Sequence, residues 1–239
     1  STLFPYTTLF RSLADARSLY LELLLEHIVD ELLDRLLLSR ANLLYTGGGH
    51  AYMLLPNTRS AKRTIDEFEK ELRAWFIGRY RTDLFLASAW VECSADDLAN
   101  RGNDGKRYRE LYRSLSQRLS DAKAARYSAE TISKLNFEKL GEGDHSRECR
   151  ECHRSDVRIN ESGTCELCSA LMDVSKQFVT RSVFVISEQE SPLELPCGRF
   201  LSMYSRDTYL NEKPSVVRVY TKNDWDAGLD LSKIGRAHV

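Results

Sequence analysis

Four cysteines in two closely spaced pairs constrain this chain more than any other feature: Cys149-Arg-Glu-Cys152 and Cys165-Glu-Leu-Cys168, with twelve residues between them. A Cys-x-x-Cys turn aims two thiolates at one point, and two such turns close a tetrahedral four-sulfur shell, the geometry of structural zinc. Gly163 supplies a turn just before the second pair. Either pair alone reads equally as a redox couple, but two pairs in a short, polar, core-poor segment read as zinc held by Cys149, Cys152, Cys165 and Cys168. His145 and His153 are spare ligands. A closed shell leaves no open coordination position, so the site predicts folding and not chemistry. Cys93 and Cys197 lack partners at metal spacing and read as ordinary buried thiols. Six cysteines used in this way fit a reducing, cytoplasmic compartment better than a disulfide framework.

The second informative stretch is Asn42–Asn57, NLLYTGGGHAYMLLPN. Two apolar runs, Leu43–Tyr45 and Ala51–Leu55, flank Thr46-Gly47-Gly48-Gly49-His50, which predicts a β-hairpin whose glycines supply positive φ. Before it, Tyr20, Leu24, Ile28, Leu32 and Leu36 repeat every fourth position, with Leu19, Leu23, Leu33 and Leu37 beside them. That spacing predicts a long helix over Leu13–Ser39 with a broad buried face. His27 lies next to that face and is given no role. Glu22, Glu26, Asp30, Glu31, Asp34 and Arg35 interrupt the run, so it does not span a bilayer. After the hairpin, Ser60 is a candidate cap for a helix whose Ile65, Phe68, Leu72, Trp75 and Phe76 form one stripe, ending at Gly78. Leu84–Val91, LFLASAWV, is a continuous apolar run of strand length.

Helix, strand, strand, helix, strand, with one further strand in front, is the βαββαβ ferredoxin-like unit. Ser94-Ala-Asp-Asp97 then reads as a capped helix start, and Lys106–Tyr127 as a helix rich in lysine and arginine. A solvated face is the plain reading of that helix, and contact with an RNA backbone or an acidic partner is the sharper one. The chain's net charge is −1, so any basic surface is local. A short helix from about Ser128 to Leu135 leads into a polar linker, Gly141–Glu148. Beyond the cysteines, Ala170–Phe178 reads as a helix, and Val183–Ile186, Leu193–Leu195 with Phe200–Tyr204, and Val216–Tyr220 as strands of a new sheet. Both ends read as processing scars: Ser1–Ser12 (STLFPYTTLFRS) and Ile234–Val239 (IGRAHV) translate short-read sequencing adapters. The natural segment is therefore expected to run from Leu13 to about Ser232, without its true termini.

The order and content of these stretches resemble the middle of the large subunit of type III-A CRISPR effector complexes, which has two polymerase-type palms. The similar residues are Glu26–Asn57, Leu86–Leu98 (LASAWVECSADDL), the paired cysteines, and the LELPCGRFLSMY run that contains Leu193–Tyr204. The resemblance implies an α+β architecture: a first palm over 13–93, a helical extension over 94–140, a zinc element over 141–180 and a truncated start of the second palm over 181–233. It also implies a role in antiviral defence. The family's large subunit binds ATP between its palms and, with Mg²⁺ and bound target RNA, joins ATP into cyclic oligoadenylates. Many members add an HD nuclease for single-stranded DNA. Its expected partners are the other effector subunits and guide RNA, with target RNA engaged indirectly and no membrane. The catalytic palm carries a Gly-Gly-Asp-Asp turn, whereas the corresponding turn here is Gly47-Gly48-Gly49-His50. Without a carboxylate it cannot hold a two-metal site, so it resembles the non-catalytic first palm, whose hairpin faces nucleotide. The chain alone is expected to be inactive. Two alternatives compete: a zinc-containing RNA- or protein-binding module with no enzymatic parent, and a diguanylate-type cyclase, whose acidic signature the hairpin lacks.

Overall fold

The computed structural model describes residues 13–101, 105–137, 143, 145–177, 181–212 and 214–221. The expected adapter-derived ends, Ser1–Ser12 and Ile234–Val239, lie outside the described residues. In chain order the elements are α1 (Leu13–Arg35), β1 (Leu43–Gly47), β2 (His50–Met53), α2 (Arg59–Tyr80), α3 (Ala95–Leu98), α4 (Lys106–Ala124), α5 (Ala129–Phe137), α6 (Glu166–Gln177), β3 (Val183–Ser187), β4 (Glu194–Leu195), β5 (Arg199–Tyr204), α7 (Arg206–Glu212) and β6 (Arg218–Thr221). They form two compact units, Ser1–Leu54 with Glu142–Val239, and Leu55–Gly141.

In the first unit the leucine repeat of α1 does what its period requires. Leu19, Leu23, Leu24, Ile28, Leu32 and Leu33 are all buried. The helix stops at Arg35, short of the expected Ser39, because Leu37 turns to φ 55° and the Leu38 amide reaches back to the Leu33 carbonyl at 2.8 Å. This is a left-handed C-terminal cap made without glycine, with Leu37 93% exposed. The expected strands near the end of the chain form one antiparallel sheet of order β4-β5-β3-β6. β3 is its centre, and all five of its residues are buried.

A polar seam ties α1 to this sheet. Arg218 on β6 donates to Glu31 Oε1 at 2.7 Å, to His27 Nδ1 at 3.2 Å and to Asp34. Tyr220 Oη donates to Asp30 Oδ2 at 2.7 Å, and Arg40 donates to Asp30 Oδ1 at 2.8 Å and to Glu26. His27 is fully buried, with its Nε2 3.1 Å from the Pro196 carbonyl oxygen. A carbonyl only accepts and a guanidinium only donates, so Nε2 carries the proton and Nδ1 keeps its lone pair. The ring is therefore held neutral, and burial lowers its pKa to about 4. The same burial raises the Asp30 carboxyl and the Tyr220 phenol.

In the second unit, α2 buries Ala61, Phe68, Leu72, Phe76 and Tyr80. Its cap is Thr58, which accepts from the Ala61 amide at 3.1 Å, and not Ser60. The helix runs through Gly78 and ends at Tyr80, capped by Arg81, whose φ is 55°. Ser94 and Asp97 form the reciprocal capping box that starts α3.

The run Leu84–Val91 departs from expectation, because it forms no strand. Its side chains are half-buried or exposed. Phe85 meets Tyr127 edge-on at 6.0 Å, and Trp90, 42% exposed, lies under Lys62 Nζ at 4.9 Å. An apolar run states a need for burial, and here loop packing meets part of that need without a strand partner. β1 and β2 likewise pair only with each other. The βαββαβ sheet is thus not formed among the described residues, because none of them pairs with the outer edges of β1 and β2.

Candidate functional site

The two Cys-x-x-Cys turns converge as their spacing requires. The four sulfurs of Cys149, Cys152, Cys165 and Cys168 all lie within 4.8 Å of one another. The Cys152 and Cys165 sulfurs are 3.8 Å apart. A tetrahedron with metal–sulfur bonds of about 2.3 Å has edges of about 3.8 Å. All four thiols are free; three are buried and Cys152 is partly so. His145 and His153 are exposed and stand outside the cluster.

Local backbone bonds set this arrangement. The His153 amide closes the first turn onto the Cys149 carbonyl at 2.8 Å, and the Arg150 amide donates to the Gly163 carbonyl at 2.9 Å. Gly163, at φ 81°, makes the turn into the second pair. The Cys165 amide donates to Cys149 Sγ at 3.2 Å, and the Cys168 amide to Cys165 Sγ at 3.5 Å. These amide-to-sulfur bonds favour thiolate. Gly143 belongs to the same knot: its amide donates to the Asp156 carbonyl at 3.0 Å, and a Cβ there would stand 2.3 Å from the Ser155 carbonyl oxygen. Arg17, from the first turns of α1, donates to the Glu151 carbonyl at 3.0 Å and toward Cys168 Sγ at 3.6 Å.

Four thiols this close cannot all ionise unless a cation sits among them. Hydrogen bonding from Cys168 pulls the Cys165 thiol down to about 5, while burial pushes Cys152 up to about 11 and donation to Cys165 raises Cys168 further. A divalent soft-ligand metal resolves that conflict by replacing the protons. The donor set fits zinc, and among the described residues no other group of this kind could hold a metal.

The glycine hairpin forms as the sequence predicts. β1 and β2 pair from Gly47 with His50 down to Leu43 with Met53, with a bulge between Leu43 and Tyr45. Gly48 and Gly49, at φ 58° and 77°, are the two central residues of a tight turn of the primed kind, which needs positive φ at both. Added side-chain carbons at either glycine would meet nothing within 4 Å. The turn is therefore open to approach, and His50, also exposed, only folds back onto the Gly48 carbonyl at 3.0 Å. No carboxylate occurs between Leu43 and Met53. Tyr45 and Tyr52 pack together at 6.1 Å, and Leu44 and Tyr45 are more than half exposed.

Sequence reasoning passed over the seam built on His27, Glu31 and Arg218. Its signal was the run of acids on the leucine face of α1, but the basic partner lies 187 positions from Glu31.

A four-cysteine cluster that could hold a metal and a carboxylate-free glycine hairpin lie on an α+β frame. Residues 11–138 match the family described as Csm1 subunit domain B, and the chain belongs to that family. It is 42% identical over 221 residues to the Cas10/Csm1 single-strand-specific deoxyribonuclease of the subtype III-A CRISPR system of Enterococcus italicus; the match covers 90% of this chain and 28% of that protein. The Mycobacterium tuberculosis protein of the same description is 42% identical over 229 residues, covering 89% of this chain and 28% of its own length. The chain thus spans little more than a quarter of these relatives. A crystallised Csm1–Csm4 cassette in complex with one ATP shares the fold, with a TM-score of 0.66 and 22% identity, covering 97% of this chain and 27% of that one. No helix among the described residues is long and apolar enough to cross a membrane.

Proposed function

We propose that this chain is the central, non-catalytic segment of a type III-A effector large subunit and that it supplies surfaces and rigidity, not chemistry. In this reading 13–93 form the first palm, 94–140 a helical extension, 141–180 the zinc element and 181–233 the opening of the second palm. The outer edges of β1 and β2 become paired in the longer protein. The observation that carries the reading is the Gly47–His50 turn: exposed, open above Gly48 and Gly49, and without a carboxylate. Such a turn lets a nucleotide approach the backbone but cannot hold Mg²⁺. The metal and the bond-making step therefore belong to carboxylates elsewhere in the parent protein.

Relatives of the same fold support a nucleotide setting, since Csm1–Csm4 cassettes have been solved with one ATP, with cA3 and with cA4. The parent is proposed to make cyclic oligoadenylates when target RNA is bound and to work in cytoplasmic antiviral defence with guide RNA and a Csm4-like subunit. Bound at Cys149, Cys152, Cys165 and Cys168, zinc would supply a crosslink between two turns and the start of α6. The amides of Cys165 and Cys168 hold those sulfurs in place, and Arg17 ties the knot to α1. A binding module with no enzymatic parent fits poorly with relatives that carry a deoxyribonuclease name.

The test is photolabelling with 8-azido-ATP of the Enterococcus italicus subunit whose matching segment is replaced by Leu13–Ser232. Label recovered on the tryptic peptide Ala41–Arg59 is the expected result. Label found only on other peptides overturns the role of the hairpin.

A further inference from the structure

The cysteine cluster is reached by a cation from a distant part of the chain. Arg17, near the start of α1, is 134 positions from Glu151 and 151 from Cys168. Its Nη2 donates to the Glu151 carbonyl at 3.0 Å and toward Cys168 Sγ at 3.6 Å. Glu151 lies inside the first Cys-x-x-Cys turn, and Cys168 closes the second in the opening turn of α6. One guanidinium nitrogen therefore spans the same two turns that the four sulfurs span. α1 and α6 also pack together, with Ala16, Leu19 and Tyr20 buried on α1 and Leu171 buried on α6. Arg17 itself is half-buried, so its charge is only partly screened by water.

We infer that Arg17 is a positioning residue for the metal: it donates to the Cys168 sulfur, tightens zinc binding, and makes the order of the first turns of α1 depend on zinc. The inference rests on the zinc reading of the four cysteines. Four thiolates around a divalent ion leave a net negative charge, and a guanidinium is a permanent cation that can only donate. A charge-assisted bond to one of those sulfurs is stronger than a neutral one and fixes the direction of the ligand. A mere tie for the helix would need the Glu151 carbonyl alone. The second acceptor, a ligand sulfur, is what couples α1 to the metal.

The experiment is competition for zinc between the whole chain and a chromogenic chelator, repeated with cobalt(II) as a spectroscopic probe. Arg17→Met keeps the apolar stem and removes the donor, and it is expected to weaken zinc binding at least about tenfold. It also shifts the sulfur-to-cobalt charge-transfer band, because the Cys168 sulfur loses a positive neighbour. Arg17→Lys, a point charge without the planar fork, recovers part of both effects. Ser18→Ala, an exposed change one residue along α1, leaves both unchanged. Chelation of the native chain speeds amide exchange over Leu19–Leu24, and in Arg17→Met that zinc-dependent difference shrinks. Two results each overturn the inference: native zinc affinity with a native cobalt spectrum in Arg17→Met, or α1 amides in the native chain that do not respond to zinc. A native chain that takes up neither zinc nor cobalt overturns the zinc reading itself and the inference with it, so the two failures are told apart.

Discussion

Replacing Arg218 by methionine tests the seam that holds α1 to the sheet. Arg218 is 8% exposed and Glu31 9% exposed, with a 2.7 Å ion pair between them. Methionine keeps the apolar stem and removes the charge, which leaves the Glu31 carboxylate buried without its cation. Breaking a buried pair from one side costs about 3–5 kcal/mol. The contact to Asp34, whose side chain is 65% exposed, adds at most about 1 kcal/mol. Arg218→Met is therefore expected to destabilise the unit by about 3–5 kcal/mol. Removing the stranded charge as well, in Arg218→Met/Glu31→Leu, returns it to within about 2 kcal/mol of the native chain, because an apolar pair can replace a buried ionic one. The double-mutant cycle then shows a coupling of at least about 1 kcal/mol. Two units make a single global transition ambiguous, so the assay is native-state hydrogen exchange of the amides in Leu23–Leu33 and in β6 under increasing urea. A loss below about 1 kcal/mol in Arg218→Met, or strictly additive single effects, refutes the reasoning.

Three further outcomes follow from the same contacts. His27 is neutral when folded, with a pKa lowered to about 4, so the unfolded chain takes up its proton first as pH falls. Stability is then lost between about pH 6.5 and pH 4, by up to about 3 kcal/mol, and His27→Gln flattens that slope. Asp30 and Glu22, raised by burial, act in the opposite sense at the acid end, so the fall is steepest above about pH 5. Reduced, freshly purified protein is expected to carry one zinc per chain by elemental mass spectrometry; chelation should open the amides of Cys149–Cys168 to exchange while α2 stays protected, and metal-free protein contradicts the site. Gly143→Ala, whose Cβ would stand 2.3 Å from the Ser155 oxygen, should cost about 1–3 kcal/mol and speed metal release to a chelator.

What the sequence made legible was local. The cysteine turns are set by spacing and a glycine, so their convergence within 4.8 Å could be read in advance. The Gly48-Gly49 turn and the Ser94–Asp97 capping box are also decided within a few residues. The His27 site was hidden because its partners, Pro196 and Arg218, are 169 and 191 positions away. On a helix already rich in leucine, a histidine and three acids on the buried side looked like background. Leu84–Val91 misled for a different reason. Its apolar content reports a preference for burial, whereas a strand also needs a neighbour with free amides and carbonyls, and no local pattern reports that. Leu37 likewise continued the leucine spacing of α1, and only its φ of 55° shows that the helix has ended.

We propose that this chain contributes structure and binding but no catalysis, because the hairpin that stands where a catalytic turn could be has no carboxylate. The most direct measurement is chromatography with mass spectrometry of the nucleotides left after the purified, zinc-loaded chain is incubated with ATP and Mg²⁺. Unchanged ATP, with no linear or cyclic oligoadenylate, is the expected result. Oligoadenylate formed by the chain, and lost with Gly48→Pro, would place the chemistry in the hairpin and contradict the claim.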